Sequence, residues 1–257
     1  MRIALIDSGI GMLSTAAALR TARPDADLIL SMDPDHMPWG PRGPEEIIGR
    51  VLAGARAAAA LEPDAIVVPC NTASVNGLVA LRAEFEPGTP VVGTVPPIKP
   101  AAEHGAPIAV WATRATTASR YQQDLIDRFA PGGRAAAVAC LGLAEAVESA
   151  DPGAIASAVA YAAERTPEGV RGVVLGCTHY DLVSTEISAA LGGGPALFTA
   201  AQAVAAQTLR RIGAEPDPAA RRTGTVRVLA SGRPAELPKA ALAYPAGEVL
   251  AEPAPPA

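Results

Sequence analysis

The 257 residues predict an α/β protein of two similar open, mostly parallel sheet domains covered by helices. Three observations carry that expectation. Apolar strand-like runs alternate with helical patterns along most of the chain, the signature of parallel sheets under helices. Two of those runs end alike, in a small breaker, a cysteine and polar residues: Val67-Val68-Pro69-Cys70-Asn71-Thr72 and Val174-Leu175-Gly176-Cys177-Thr178-His179. The cysteines lie 107 positions apart, while Ile3-Ala4-Leu5 and Ile108-Ala109-Val110 lie 105 apart. A nearly constant offset predicts an internal duplication with one thiol per half. The halves would be related by a pseudo-twofold and face each other across a cleft holding the active site.

Taken in order, residues 3–6 read as a strand, and the turn Asp7-Ser8-Gly9-Ile10-Gly11 leads to a helix from about Met12 to Thr21. A strand at 27–31 is followed by a loop with three prolines, 33–42. Pro44, Glu45 and Glu46 mark a helix start, with proline and acids in the first turn, running to about Leu61. After the Cys70 strand the segment beyond Ser74 reads as helical to about Phe85, then a short strand at 90–93. Pro96, Pro97 and Pro100 suggest a boundary. The second half repeats the order: strand 107–111, helix from about Thr116 to Phe129, strand 135–139, helices within 142–164, the Cys177 strand and a helix from about Leu182. A helical run at 200–212 and a strand at 225–229 follow, and the Pro/Ala tail 251–257 reads as disordered. The domains expected are 1–100, with 208–257 returning to it, and 101–207.

Composition removes several function classes. The formal charge of −5 provides no basic footprint for nucleic acid. No apolar run approaches the ~18 residues needed to span a bilayer. The first strand reaches Asp7 too soon for a signal peptide. An odd count of three cysteines in a chain this long reads as free thiols in a reducing cytoplasm.

Ligands of open α/β sheets bind beyond the carboxyl ends of the strands, where Cys70 and Cys177 stand. Inverting a stereocentre by proton exchange needs a base on one face of a carbon and an acid on the other. A thiol and a thiolate do both and exchange roles when the reaction reverses. Cys140, in an apolar setting, reads as a small core residue. Cys70, Cys177 and His179 lack the close spacing of common metal sites. A pyridoxal phosphate enzyme would need a Schiff-base lysine, and only Lys99, between prolines, and Lys239, near the tail, exist. The phosphate lysine of a P-loop and the Gly-x-Gly-x-x-Gly of a dinucleotide fold are missing.

Asp7-Ser8-Gly9-Ile10-Gly11, Pro38-Trp39-Gly40, Cys70-Asn71-Thr72-Ala73-Ser74 and Gly176-Cys177-Thr178-His179-Tyr180 resemble the glutamate racemase family of the aspartate/glutamate racemase superfamily. The resemblance runs in order from residue 3 to about 212. It implies racemisation of glutamate without a cofactor, supplying D-glutamate for peptidoglycan, with Cys70 acting on the D-enantiomer and Cys177 on the L-enantiomer. Asp7 resembles the aspartate that holds the substrate ammonium and assists Cys70. His179 resembles the histidine that assists Cys177. Glu148 aligns with a family glutamate near that histidine and reads equally as a solvated helix acid. Asn71, Thr72 and Thr178 adjoin the thiols, where donors to the α-carboxylate are required. Thr113, Thr116 and Ser119 match polar residues lining the family's cleft, and Thr113 is the duplication's equivalent of Ser8. The family commonly forms dimers, so a homodimer is an assembly to look for.

Departures bear on the substrate. The family's Pro-Tyr-Gly is Pro38-Trp39-Gly40 here, in the loop that meets the distal carboxylate. The main-chain N–H groups survive the change, and the indole N–H remains as a donor. Met12 replaces a turn glycine, and Thr199-Ala200 replaces an Asp-Ser. Two other readings follow from these changes: racemisation of a different amino acid, or a racemase-like binding protein without turnover.

Overall fold

A computed structural model describes residues 1–252. The chain forms two compact units, residues 1–94 together with the chain from Ala201 onward, and Val95–Ala200. The elements in chain order are β1 (Arg2–Ile6), α1 (Leu13–Ala22), β2 (Asp27–Met32), α2 (Pro44–Ala59), β3 (Ala65–Val68), α3 (Asn71–Phe85) and β4 (Val91–Gly93). The second unit follows with α4 (Ile98–His104), β5 (Ile108–Ala112), α5 (Arg114–Thr117), α6 (Arg120–Phe129), β6 (Ala135–Ala139), α7 (Leu143–Ser149), α8 (Pro152–Ala163), β7 (Gly172–Leu175), α9 (Thr178–Asp181), α10 (Ser184–Ala190) and β8 (Ala196–Phe198). The chain then returns to the first unit as α11 (Ala201–Arg211), β9 (Val226–Ala230), β10 (Arg233–Ala235) and α12 (Pro245–Ala251).

The first sheet has the order β10-β9-β2-β1-β3-β4 and the second β6-β5-β7-β8. Every pairing is parallel except β10 with β9. In each unit the first strand takes the second on one side and the third on the other, with the fourth beyond the third. The duplication therefore extends to topology. Registers agree as well: Ile3 lies opposite Ala65, and Ile108 opposite Gly172. Strands β3, β5 and β7 are buried along their whole length, which is why they read as unbroken apolar runs rather than alternating ones.

Several boundaries differ from the sequence expectation, each for a local reason. Helix α3 opens at Asn71, not beyond Ser74, because the Ser74 N–H donates to the Cys70 carbonyl at 2.9 Å. The polar residues after Cys70 are thus the helix's first turn. The expected helix at 116–129 is two helices, since Ser119 restarts the second by accepting from the Gln122 N–H. The proline cluster expected as a boundary runs into α4, where Pro100 falls in the first turn and removes no helical hydrogen bond. A short helix starts at Thr178, and the following one at Ser184. Strands β8 and β10 are three residues each, too short for a sequence period to register. Of the tail, Ala251 ends α12, and residues 253–257 lie outside the described residues.

Helix α3, which carries the residues after Cys70, is held against α2 by a close approach. A Cβ at Gly77 would lie 2.4 Å from Val51 Cγ1, and Val51 is fully buried. Gly77→Ala therefore forces the helices apart. It is expected to cost about 1–3 kcal/mol of stability through overpacking. Urea unfolding should show a lower midpoint for the variant than for the wild type.

Candidate active site

In the first unit, Asp7, Asp33 and Cys70 follow β1, β2 and β3, three adjacent parallel strands, and so share one sheet edge. Asp7 is buried, and its Oδ1 accepts from the Ser8 N–H at 2.7 Å and from the Ser8 hydroxyl at 3.3 Å. Cys70 is buried and caps the start of α3 through its main chain. The positive end of this fifteen-residue helix thus lies at the thiol's strand end, where developing negative charge is favoured. Asn71 and Thr72 occupy the first two helical positions, beside the free N–H groups of that turn. Ser74 has a structural task. Its hydroxyl donates to the Val68 carbonyl at 2.9 Å and accepts from the Thr94 N–H at 3.0 Å, tying the helix start to β3 and β4.

The loop after β2 places its three expected substrate residues differently from one another. Pro38 and Gly40 are partly exposed, while Trp39 is buried in a cluster that includes Ile6, Ile29, Ile47, Val51 and Cys70. The indole N–H, which the sequence leaves available to a substrate, donates to Asp33 Oδ2 at 3.1 Å.

In the second unit, the Gly176 N–H donates to the Trp111 carbonyl at 2.7 Å. A Cβ at Gly176 would sit 2.9 Å from that oxygen, so glycine here lets the main chain close down just before Cys177. The Cys177 sulfur lies 3.8 Å from His179 Nδ1, and His179 Nε2 lies 2.8 Å from Glu148 Oε2. Glu148, which reads from sequence as either a site residue or a solvated acid, is thus fastened to the buried histidine. With the ring proton on Nε2 donated to the carboxylate, Nδ1 presents its lone pair to the thiol. That is the nucleophile, base and orienter order of activated sites. Thr113 and Thr116 join through their hydroxyls at 3.0 Å, Thr113 capping α5 and Ser119 capping α6. Thr178 opens α9 beside Cys177.

Cys140 is a free, buried thiol. Burial pushes its pKa far up, and the neighbouring Cys177 adds to the shift, so it stays protonated and inert. The Tyr180 hydroxyl donates to the Cys140 carbonyl at 3.4 Å, and burial likewise raises its pKa. Among the described residues no group of three or more His, Cys, Asp or Glu side chains is placed to hold a metal ion. No helix among them is long and apolar enough to cross a membrane.

Sequence reasoning passed over two acids, Asp33 and Asp181. The available signal was position: Asp33 directly follows a strand, and Asp181 follows the second cysteine motif.

A duplicated parallel α/β scaffold, with one thiol at the same strand end of each half, defines the class of protein. The model of the Asp/Glu/Hydantoin racemase family matches residues 8–208, and the chain belongs to this family. A glutamate racemase of Roseiflexus sp. strain RS-1 is 38% identical over 210 residues, covering 79% of this chain and 76% of its own. That of Methylococcus capsulatus is 33% identical over 246 residues, covering 94% and 90%. Among solved structures, Escherichia coli glutamate racemase in complex with L-glutamate and the activator UDP-MurNAc-Ala superposes with a TM-score of 0.78 at 31% identity, over 90% of each chain. Glutamate racemase from Thermus thermophilus in complex with β-chloro-D-alanine gives 0.72 at 28% identity, over 98% of this chain and 93% of that one.

Burial pushes the Asp181 carboxyl up to about 8, although the residue as a whole keeps partial exposure. The folded protein then holds a proton that the unfolded chain releases near its ordinary value of 3.8. Stability must fall as pH rises through that interval, because the native state binds more protons there. The thermal midpoint should decline from pH 5 to pH 8.5, and Asp181→Asn, neutral throughout, should flatten the decline. Parallel pH dependences in the two proteins would assign the slope to other groups.

Proposed function

We propose that this chain interconverts L- and D-glutamate by proton exchange between two cysteines, without a cofactor. The observation that carries the reading is the Cys177–His179–Glu148 chain at one strand end, matched in the other unit by Cys70 at the equivalent strand end. The family membership and the glutamate racemase relatives supply the substrate.

In the L-to-D direction, the Cys177 thiolate removes the α-proton. The electron pair left on carbon delocalises into the α-carboxylate, and the Cys70 S–H delivers a proton to the opposite face. The reverse reaction uses the same groups with exchanged roles. His179, oriented by Glu148, takes up the Cys177 proton, and Asp7 serves the Cys70 side while holding the substrate ammonium. Ser8, Asn71, Thr72, Thr113, Thr116 and Thr178 bind the substrate's polar groups, and the 38–40 loop meets the distal carboxylate. The product, D-glutamate, serves peptidoglycan synthesis in the cytoplasm.

Replacing Cys70 or Cys177 with Ser should each reduce racemisation by at least ~10²–10⁴-fold, the contribution of a positioned acid or base, because serine is a far weaker acid than a thiol. Each variant should still eliminate HCl from one enantiomer of β-chloroalanine. There a single base removes the α-proton, the C–H pair forms the C=C bond, and chloride leaves with the C–Cl pair. Cys70→Ser should retain the L-enantiomer and Cys177→Ser the D-enantiomer. Polarimetry and chloride release measure the two reactions. Equal loss of both eliminations in each variant would refute the division of faces.

A further inference from the structure

Asp33 stands at the end of β2 as a buried residue, and three side chains converge on its carboxylate. The Ser231 hydroxyl donates to Oδ1 at 2.7 Å, His36 Nδ1 lies 2.9 Å from the same oxygen, and the Trp39 indole N–H donates to Oδ2 at 3.1 Å. Burial alone would raise the carboxyl's pKa, but the hydrogen bonds from His36, Ser231 and Trp39 together outweigh it and hold it below the usual range.

The three partners come from different places. His36 and Trp39 belong to the loop itself, whereas Ser231 follows β9, the strand beside β2. The main chain completes the frame. The Ser231 N–H donates to the Met32 carbonyl at 2.8 Å, and the Asp33 N–H to the Ser8 carbonyl at 3.2 Å. Arg42 Nε donates to the His36 carbonyl at 2.8 Å, closing the loop's far side. A salt bridge from Arg233 to Asp35 at 2.8 Å adds a second tie to the returning chain. Asp33 therefore joins β2, the 34–42 loop and the C-terminal segment, on the edge that carries Asp7 and Cys70.

An indole can only donate, and this one has a single N–H. Already bonded to Asp33 and buried, it has nothing left for a ligand. What the loop still leaves partly exposed is Pro38 and Gly40 on either side of Trp39, and of these Gly40 has a main-chain N–H to donate.

We propose that Asp33 is the positioning residue of the substrate loop. By anchoring the Trp39 side chain inward, it leaves the loop's main-chain N–H groups to read the substrate's distal carboxylate. The C-terminal segment takes part through Ser231. This deepens the proposed function and rests on that reading. It also accounts for tryptophan at position 39, where the side chain serves as an anchor rather than as a ligand to the substrate.

The test combines a variant that breaks the anchor with one that retains it. Asp33→Ala leaves the Trp39 N–H without its acceptor. Asp33→Asn retains an amide oxygen for Trp39, while its NH₂ can donate to the Ser231 hydroxyl and to neutral His36 Nδ1, both able to accept. Asp33→Ala is expected to raise KM for glutamate about 10-fold with kcat changed far less, the pattern of lost uniform binding. Asp33→Asn is expected to restore most of that loss. KM for elimination from β-chloro-D-alanine, which has no distal carboxylate, should rise much less. The two tryptophans give two indole N–H resonances. Trp111, bonded to Thr166 at 2.8 Å in the other unit, is the internal reference, and only the Trp39 resonance should shift in Asp33→Ala. If Asp33→Ala fails to fold, Ser231→Ala, lacking one of the three donors, should show the same KM selectivity at about 3-fold. Racemisation of glutamate by the wild type is measured first, and its absence overturns the functional reading. Wild-type turnover with an unchanged KM in a folded Asp33→Ala, or an equal KM rise for both substrates, overturns the positioning role alone.

Discussion

The parallel ladders β1·β3 and β5·β7 are the constraint on which the rest of the molecule depends. Each fixes which residues emerge together at the carboxyl edge of its sheet, because a parallel register cannot slip without breaking a row of main-chain hydrogen bonds. Ile3 opposite Ala65 brings Asp7 and Cys70 out at the same edge. Ile108 opposite Gly172 does the same for Thr113 and Cys177. Burial of both faces locks the registers, since each fully buried Val, Leu or Ile side chain contributes about 1.5–3 kcal/mol. The two strand-end cysteines sit where the ladders end.

Beyond the ladders, both units use one device at that edge. A carboxylate pairs with a ring nitrogen and so orients the ring. In the second unit Glu148 holds His179. In the first, Asp33 holds Trp39, with Ser231 and His36 completing its shell. Asp33 and His179 are buried, and leaving either without its partner would be costly, so each pair holds in place. The rings differ in what they can then do. Imidazole has a second nitrogen to turn toward Cys177, and indole has none, so one ring can relay a proton and the other can only anchor.

Glycine serves the same edge by omission. Gly176 lets the chain before Cys177 approach the Trp111 carbonyl, and Gly77 lets α3 settle against α2. Close approach at these two glycines thus helps to place the backbone that carries each cysteine.

The amino-acid order alone determined the alternation of strand and helix, the repeat, and the two strand-end thiols with their polar followers. All of these are local, written in apolar runs and breakers of a few residues. Asp7, Cys70, Cys177 and His179 were legible for the same reason, each lying next to a recognisable strand end. Tertiary structure decided whatever depends on residues far apart in the chain. Glu148 could be a surface acid or a partner of His179 until α7 was packed beside α9, 31 positions away in sequence. Asp33 acquired its third side-chain partner only when the chain after β9 returned Ser231 to it, across 198 positions. Trp39 could point at a ligand or into the core, and the buried acceptor at Asp33 decided that it points inward. Hydrophobic periodicity records which face of an element is buried, but it carries no information about which polar atoms will meet there. That is settled by the order of strands in the sheet and by the cost of leaving a buried donor or acceptor unpaired.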